Sequence, residues 1–267
     1  MADVTTGEDY IEIEATASQF AWNLRYPGPD NKLGVKDFRL IKPGINDLGQ
    51  DWNDERNLDD FNSDELVIPK GKKIRIRIIG KDVLHNFYLP HFRVKMDAVP
   101  GIPTYFVFTP IKSTEDYRQE LRKYPEYNVP SDPTDPNSEP KWKVFNYELA
   151  CAELCGKGHY SMRRLVKVVS QEEFDIWNKK QKSYYLGSIR NTDEDPFKGK
   201  AISLELKSKA ADLQLALNKA LDTTNHNAAD RTLALDNIYF ESGSAKLDTN
   251  SNYALNVLKE AFVKYPN

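Results

Sequence analysis

At 267 residues the chain exceeds one average domain of roughly 100 to 200 residues and is long enough to bury a core. Hydrophobic residues at 40% and charged residues at 29%, with a mean hydropathy of -0.64, exclude a disordered or fibrous chain. A net charge of -3, from 37 basic and 40 acidic residues, gives no global basic field for nucleic acid and suits a basic partner better. No apolar run approaches the roughly 18 residues of a spanning helix, and MADVTTGEDY lacks the charged-then-apolar pattern of a signal peptide.

Residues 10–26, YIEIEATASQFAWNLRY, alternate apolar and polar side chains and predict a half-buried strand. A loop-rich stretch follows, ending in the acidic run DWNDERNLDDFNSDE, which reads as solvated. Residues 65–110 give several short strands punctuated by Pro and Gly, the pattern of a β-sandwich. Residues 111–140 interrupt it with charged, Pro-rich sequence, an insertion loop with one helical turn near Asp116 to Lys123. The β pattern resumes at KWKVFNYELA and SMRRLVKVVS, and a short helix from Gln171 to about Lys182 closes a first domain at residue 185. Residues 186–230 read as a linker, polar at 191–200, with an amphipathic helix over 202–221; Ile202, Leu206, Ala210, Leu213, Leu217 and Leu221 recur at spacings of three and four. A strand at TLALDNIYF and a helix at NYALNVLKEAFVKY, within 231–267, end the chain.

The only two cysteines lie in CAELCGKGHYSM, residues 151–162. Cys151, Cys155, His159 and Met162 place two thiols, an imidazole and a thioether close together, a soft donor set that selects copper, zinc or iron, with the thioether favouring copper. Two thiolates can bridge two copper ions and share one electron between them. A short-loop disulfide leaves His159 and Met162 without a use, and a zinc site leaves Met162 without one. A further histidine ligand has to come from another strand: His85 and His91 are candidates, and His226 sits in a polar stretch and reads as solvated.

Four segments together resemble the soluble copper A domain of cytochrome c oxidase subunit II. CAELCGKGHYSM matches that family's Cys-x-Glu-x-Cys-x-x-x-His-x-x-Met motif in full, and DVLHNFYLP with FRVKMDAVPG resembles its ligand-bearing strand and turn. ATASQFAWNLRYPG and VIPKGKKIRIRI resemble its aromatic segment and the Pro-led strand before the histidine, so the likeness runs from about residue 10 to 182 apart from the 111–140 insertion. It implies a mainly β, cupredoxin-like Greek-key sandwich with a dinuclear copper centre. The ligands it implies are His85, Cys151, Cys155, His159 and Met162, with the backbone carbonyl of Glu153; His91 drops out. The Glu153 carboxylate would meet magnesium at the contact with subunit I, a contact that Asp97 is also expected to face. Laying Gln19-Phe20-Ala21-Trp22 on the family's Gln-Trp-Tyr-Trp puts Phe20 where the electron-accepting tryptophan stands, so electron intake falls to Phe20 or Trp22 unless both are packed strand aromatics.

The resemblance implies an electron-transfer subunit that takes electrons from a cytochrome c or a cytochrome c domain and passes them to haem in subunit I, on the periplasmic side of the bacterial inner membrane. The family's N-terminal membrane helices have no counterpart, so the chain is expected to be a soluble fragment. LDNIYFESGSAKLDTNSNYALNVLKEAFVKYPN resembles the opening strand and helix of an OmpA-like peptidoglycan-binding domain, incomplete here. That likeness offers a rival reading, a cell-envelope anchor binding peptidoglycan in the full-length protein. The acidic run at Asp51, Asp54, Glu55, Asp59, Asp60, Asp64 and Glu65 offers a surface that could steer a lysine-rich donor.

Overall fold

The alternating segment 10–26 folds as two strands, β1 (Tyr10–Ser18) and β2 (Ala21–Tyr26), paired antiparallel across a turn at Gln19 and Phe20. The single strand expected there is therefore a hairpin, hidden in the sequence because neither turn residue is a Gly, Asn or Asp. The computed structural model describes residues 9–221, 233, 235 and 238–264, and the chain divides into two compact units, 1–189 and 190–267.

In the first unit β3 (Phe61–Ser63), β5 (Lys73–Gly80) and β8 (Thr104–Phe108) complete one five-stranded sheet, ordered β3-β2-β1-β5-β8. The second sheet is built from β4 (Leu66–Pro69), β6 (His85–Leu89), β7 (Val94–Ala98), β9 (Tyr147–Cys151) and β10 (Arg163–Val169), ordered β4-β10-β9-β6-β7. Successive strands change sheet repeatedly, and the pairs β1·β5 and β4·β10 are parallel. The protein is thus mainly β, a two-sheet sandwich. Strict alternation explains its core: in β5 the side chains of Ile74, Ile76 and Ile78 are buried while Lys73, Arg75 and Arg77 lie half-buried on the other face. Trp22, Leu24, Phe87, Leu149 and Val166 fill the same core.

The 111–140 insertion carries a full helix, α1 (Thr114–Leu121), where only one turn was expected; Ser113 and Asp116 cap it reciprocally. It is fastened to the sandwich, since Thr114 Oγ1 accepts the buried Val168 N–H at 3.0 Å. KWKV is not strand: Pro140 starts a short helix, α2 (Lys141–Val144), and β9 begins only at Tyr147. A second reciprocal cap, Ser170 with Glu173, opens α3 (Gln171–Lys179), whose Trp177 meets Tyr26 and Phe61 at ring separations of 5.1 and 5.7 Å and closes one end of the sandwich.

The acidic run is not a solvated face. Loop 27–60 covers the outer side of β1 and β2, so Glu14 and Arg25, cross-strand partners, are both fully buried. Arg25 donates to Glu14 at 3.2 Å, to Asp60 at 2.7 Å and to Asn57 at 2.9 Å, and Lys36 meets Glu14 at 2.6 Å. Asp59 is buried too and accepts from Asp30 N, Asp54 binds Val35 N and Arg56, and Glu65 pairs with Lys167. Asp54, Asp59 and Asp60 hold the loop in place, and with Glu55 and Asp64 as its exposed acids the run offers no continuous negative surface.

In the second unit α4 (Ser203–Ala220) and α5 (Asn252–Lys264) pack through Leu213, Leu217, Ala254 and Ala261. His226 and four of the nine residues of the expected TLALDNIYF strand lie outside the described residues; the five described ones form no strand, only one antiparallel bridge from Phe240 to Leu247.

Burial alone would raise the pKa of Glu14, but the charges of Arg25 and Lys36 and their hydrogen bonds outweigh it and hold the group down at about 2. Its ordinary value is 4.5, so between the two values the unfolded state binds the proton and the folded state does not. Glu14 therefore contributes stability that is present above pH 4.5 and lost as pH falls toward 2, on the order of 3 kcal/mol. Denaturant unfolding of Glu14→Gln across pH 2 to 7 should show a flatter acid limb and a lower plateau at neutral pH, because Arg25 and Lys36 lose their counter-charge.

Candidate metal centre

The pairing of β6 with β9 sets Phe87 opposite Cys151. His85 lies two residues before Phe87, on the same face of β6 at period two, and so comes beside the Cys151 thiol. Cys151 ends β9, Met162 immediately precedes β10, and Ala150 pairs with Arg163. The whole cysteine segment is therefore one hairpin loop closed by a strand pair, and a 3-10 turn at His159–Ser161 folds the imidazole back inside it. Ala152 N–H donates to Asn86 O at 3.1 Å and ties this loop to β6.

The donors converge. Cys151 Sγ stands 3.9 Å from His85 Nδ1, 4.0 Å from Cys155 Sγ and 3.2 Å from the Glu153 carbonyl oxygen. Cys155 Sγ stands 3.6 Å from His159 Nδ1 and 3.4 Å from Met162 Sδ. His85, Cys151, Cys155 and Met162 are buried and His159 is half-buried. Both cysteines are free thiols, and their 4.0 Å separation is about twice an S–S bond, so the disulfide alternative fails. Burial, then the neighbouring Cys151, pushes the Cys155 thiol up to about 11. Ligand atoms of His85, Cys151 and Cys155 all lie within 4.8 Å of one another, close enough for one ion to meet several at bond lengths of about 2.0 to 2.3 Å. Two thiols, two imidazoles, a thioether and a carbonyl form a soft set that suits copper and makes use of Met162, which a Cys-Cys-His zinc site would not.

The Glu153 side chain is exposed while its carbonyl points inward. Asp97, opposite Asn86 on β7, accepts the Asn86 amide at 2.7 Å. His91 lies away from the cluster, among the rings of Tyr117, Phe145 and Tyr147. Of the two aromatics, Trp22 is 1% exposed and sits edge-on to His85 and Phe87, whereas Phe20 is 37% exposed. The Phe20 ring rests on the cysteine loop at Gly156 and Gly158, where an added Cβ at Gly158 would come within 2.5 Å of it.

Three contributors escaped the sequence reading. Asp82 Oδ1 accepts from His85 Nε2 at 2.9 Å, which leaves Nδ1 as the lone-pair nitrogen facing Cys151. Burial alone would raise the Asp82 pKa, but hydrogen bonds from Gln19 N–H, His85 and Val83 N–H hold it below the usual carboxylate range. Gln19, the second, bonds both Asp82 and the cysteine loop. Gly158, the third, makes room for Phe20. The spacing Asp82-x-x-His85 carried a signal; the other two become visible only once the β1–β2 turn is folded against the loop.

Residues 11–117, which include His85 but end before the cysteine loop, match the family model for the periplasmic domain of cytochrome c oxidase subunit II. The alternative cytochrome c oxidase subunit 2 of Bradyrhizobium diazoefficiens is 34% identical over 190 residues, 70% of this chain and 57% of that protein. Cytochrome c oxidase subunit 2 of Thermostichus vulcanus is 34% identical over 121 residues, 45% of this chain and 27% of that protein. The chain thus spans little more than half the length of the first relative and about a quarter of the second. A solved structure of the periplasmic domain of cytochrome oxidase subunit II from Bradyrhizobium japonicum is 26% identical, with a TM-score of 0.39, covering 66% of this chain and 95% of that one. Over residues 11–117 the two-sheet domain is similar to the periplasmic domain of cytochrome c oxidase subunit II.

Proposed function

We propose that the two-sheet domain holds two copper ions and serves as the electron-transfer subunit of a haem-copper cytochrome c oxidase, accepting electrons from a cytochrome c and passing them to haem in subunit I on the periplasmic face of the membrane. The observation that carries this reading is the convergence of His85, Cys151, the Glu153 carbonyl, Cys155, His159 and Met162 on one buried spot from the start of β6 and the β9–β10 hairpin of one sheet. Held by these residues, two copper ions would supply one-electron storage and transfer. The chain's own part is to hold the donors still and dry: β6 and β9 fix His85 against Cys151, Asp82 sets the imidazole tautomer, and burial of Met162 keeps water from one side.

Phe20, partly exposed and lying on the ligand loop, is the residue through which we place electron intake; buried Trp22 supports His85 from inside. The exposed Glu153 carboxylate is the group we assign to magnesium at the contact with subunit I. In the second unit, α5 is the helix we assign to the start of an OmpA-like, peptidoglycan-binding module.

Copper loading under reducing conditions followed by mild oxidation should give two copper ions per chain and an electron paramagnetic resonance signal whose spin is shared by two nuclei. A single-copper signal, or retention of one zinc in preference, refutes the dinuclear centre.

Cys151→Ser or Cys155→Ser should abolish the shared-spin signal while the far-ultraviolet circular dichroism of the sandwich persists, because its core is formed by apolar strands and not by the metal. Met162→Leu should keep two coppers and shift the reduction potential, since a thioether is a weak ligand. A native potential in that variant would make Met162 a core residue only.

Glu153→Gln should leave the copper spectrum unchanged, since the donor is the peptide carbonyl. Bleaching of the absorption would assign the carboxylate instead.

A further inference from the structure

We propose that Gln19 is a positioning residue of the metal centre, a brace that fastens the His85 loop and the cysteine loop to the opposite sheet; the proposal rests on the copper reading above. The donors come from the second sheet, His85 from the start of β6 and the others from the end of β9 and the β9–β10 loop, whereas Gln19 belongs to the β1–β2 turn of the first. Its backbone N–H donates to Asp82 Oδ2 at 2.7 Å, and the other oxygen of that carboxylate accepts from His85 Nε2 at 2.9 Å. Its side-chain Nε2 donates to the carbonyl oxygen of Cys155 at 2.6 Å. One residue therefore reaches two donors through two separate chains of hydrogen bonds, one ending on an imidazole and one on the peptide of a thiol ligand. The neighbouring Phe20 ring adds a steric stop against Gly156 and Gly158, so the loop cannot move outward without displacing the turn.

The side-chain arm and the backbone arm are separable. Changing the Gln19 side chain removes the bond to Cys155 and leaves the N–H to Asp82 in place. The residue is exposed, in a turn, and outside the core, so its substitution does not threaten the fold. Without that bond the Cys155 peptide can rotate, and the thiolate it carries loses its fixed orientation relative to Cys151 and His159. The expected consequence is a site that still fills but holds its metal less rigidly.

The test compares native protein with Gln19→Met, which keeps the length of the side chain and lacks the donor, and with Gln19→Ala. Copper content, the electron paramagnetic resonance spectrum, the reduction potential and the rate of copper loss to an added chelator are measured on each, with circular dichroism as the check on folding. Both variants should bind as much copper as the native chain, show altered hyperfine splitting and a shifted potential, and lose copper roughly two- to tenfold faster, the range expected for one hydrogen bond. Native spectra, potential and release rates in both variants would overturn the brace while leaving the copper centre standing. Failure of the native protein itself to bind copper would overturn the copper reading, and the brace with it.

Discussion

The register between β6 and β9 is the constraint on which the rest of the metal site depends. With Phe87 opposite Cys151, the imidazole of His85 and the thiol of Cys151 face the same interior. Because side chains alternate with period two, a slip of one residue would turn His85 to the outer face and leave Asn86 beside the thiol. The register is set by burial on one side: Phe87, Leu89, Leu149 and Cys151 all belong to the core, so the slipped pairing would expose them together. The same apolar packing that stabilises the sandwich therefore specifies the ligand geometry, and the site needs no metal to select its partners.

What could be read from the chain follows from how local each feature is. Cys151, Glu153, Cys155, His159 and Met162 share one hairpin loop, so their spacing alone announced a soft-metal site. The alternation of β5 and the short Pro- and Gly-bounded strands gave the sandwich for the same reason. The choice between His85, which opens β6, and His91, just past its end, was not local, since only the strand register separates them. The β1–β2 turn carried no turn-forming residue, and Gln19 bears on the site through partners 63 and 136 positions away.

The acidic run shows the opposite failure. Seen linearly it is a dense block of negative charge, the composition of a solvated or steering surface. Its decisive partner, Arg25, lies 35 positions before Asp60, and loop 27–60 buries both. A guanidinium shared by Glu14, Asp60 and Asn57 fixes that loop over β1 and β2. Charge counted along a sequence says nothing of whether its counter-charge sits across a sheet.

The direction of the strands carries one more consequence. β1 runs from Tyr10 to the turn that touches the metal loop, a nine-residue strand of about 30 Å. β10 starts beside Met162 and runs the other way, to α3, which packs on Tyr26 at the far end of β2. The polypeptide therefore enters the sandwich and completes its last strand at the pole remote from the candidate ligands. The loops that carry the candidate ligands thus lie about one strand length from both ends of the strand framework.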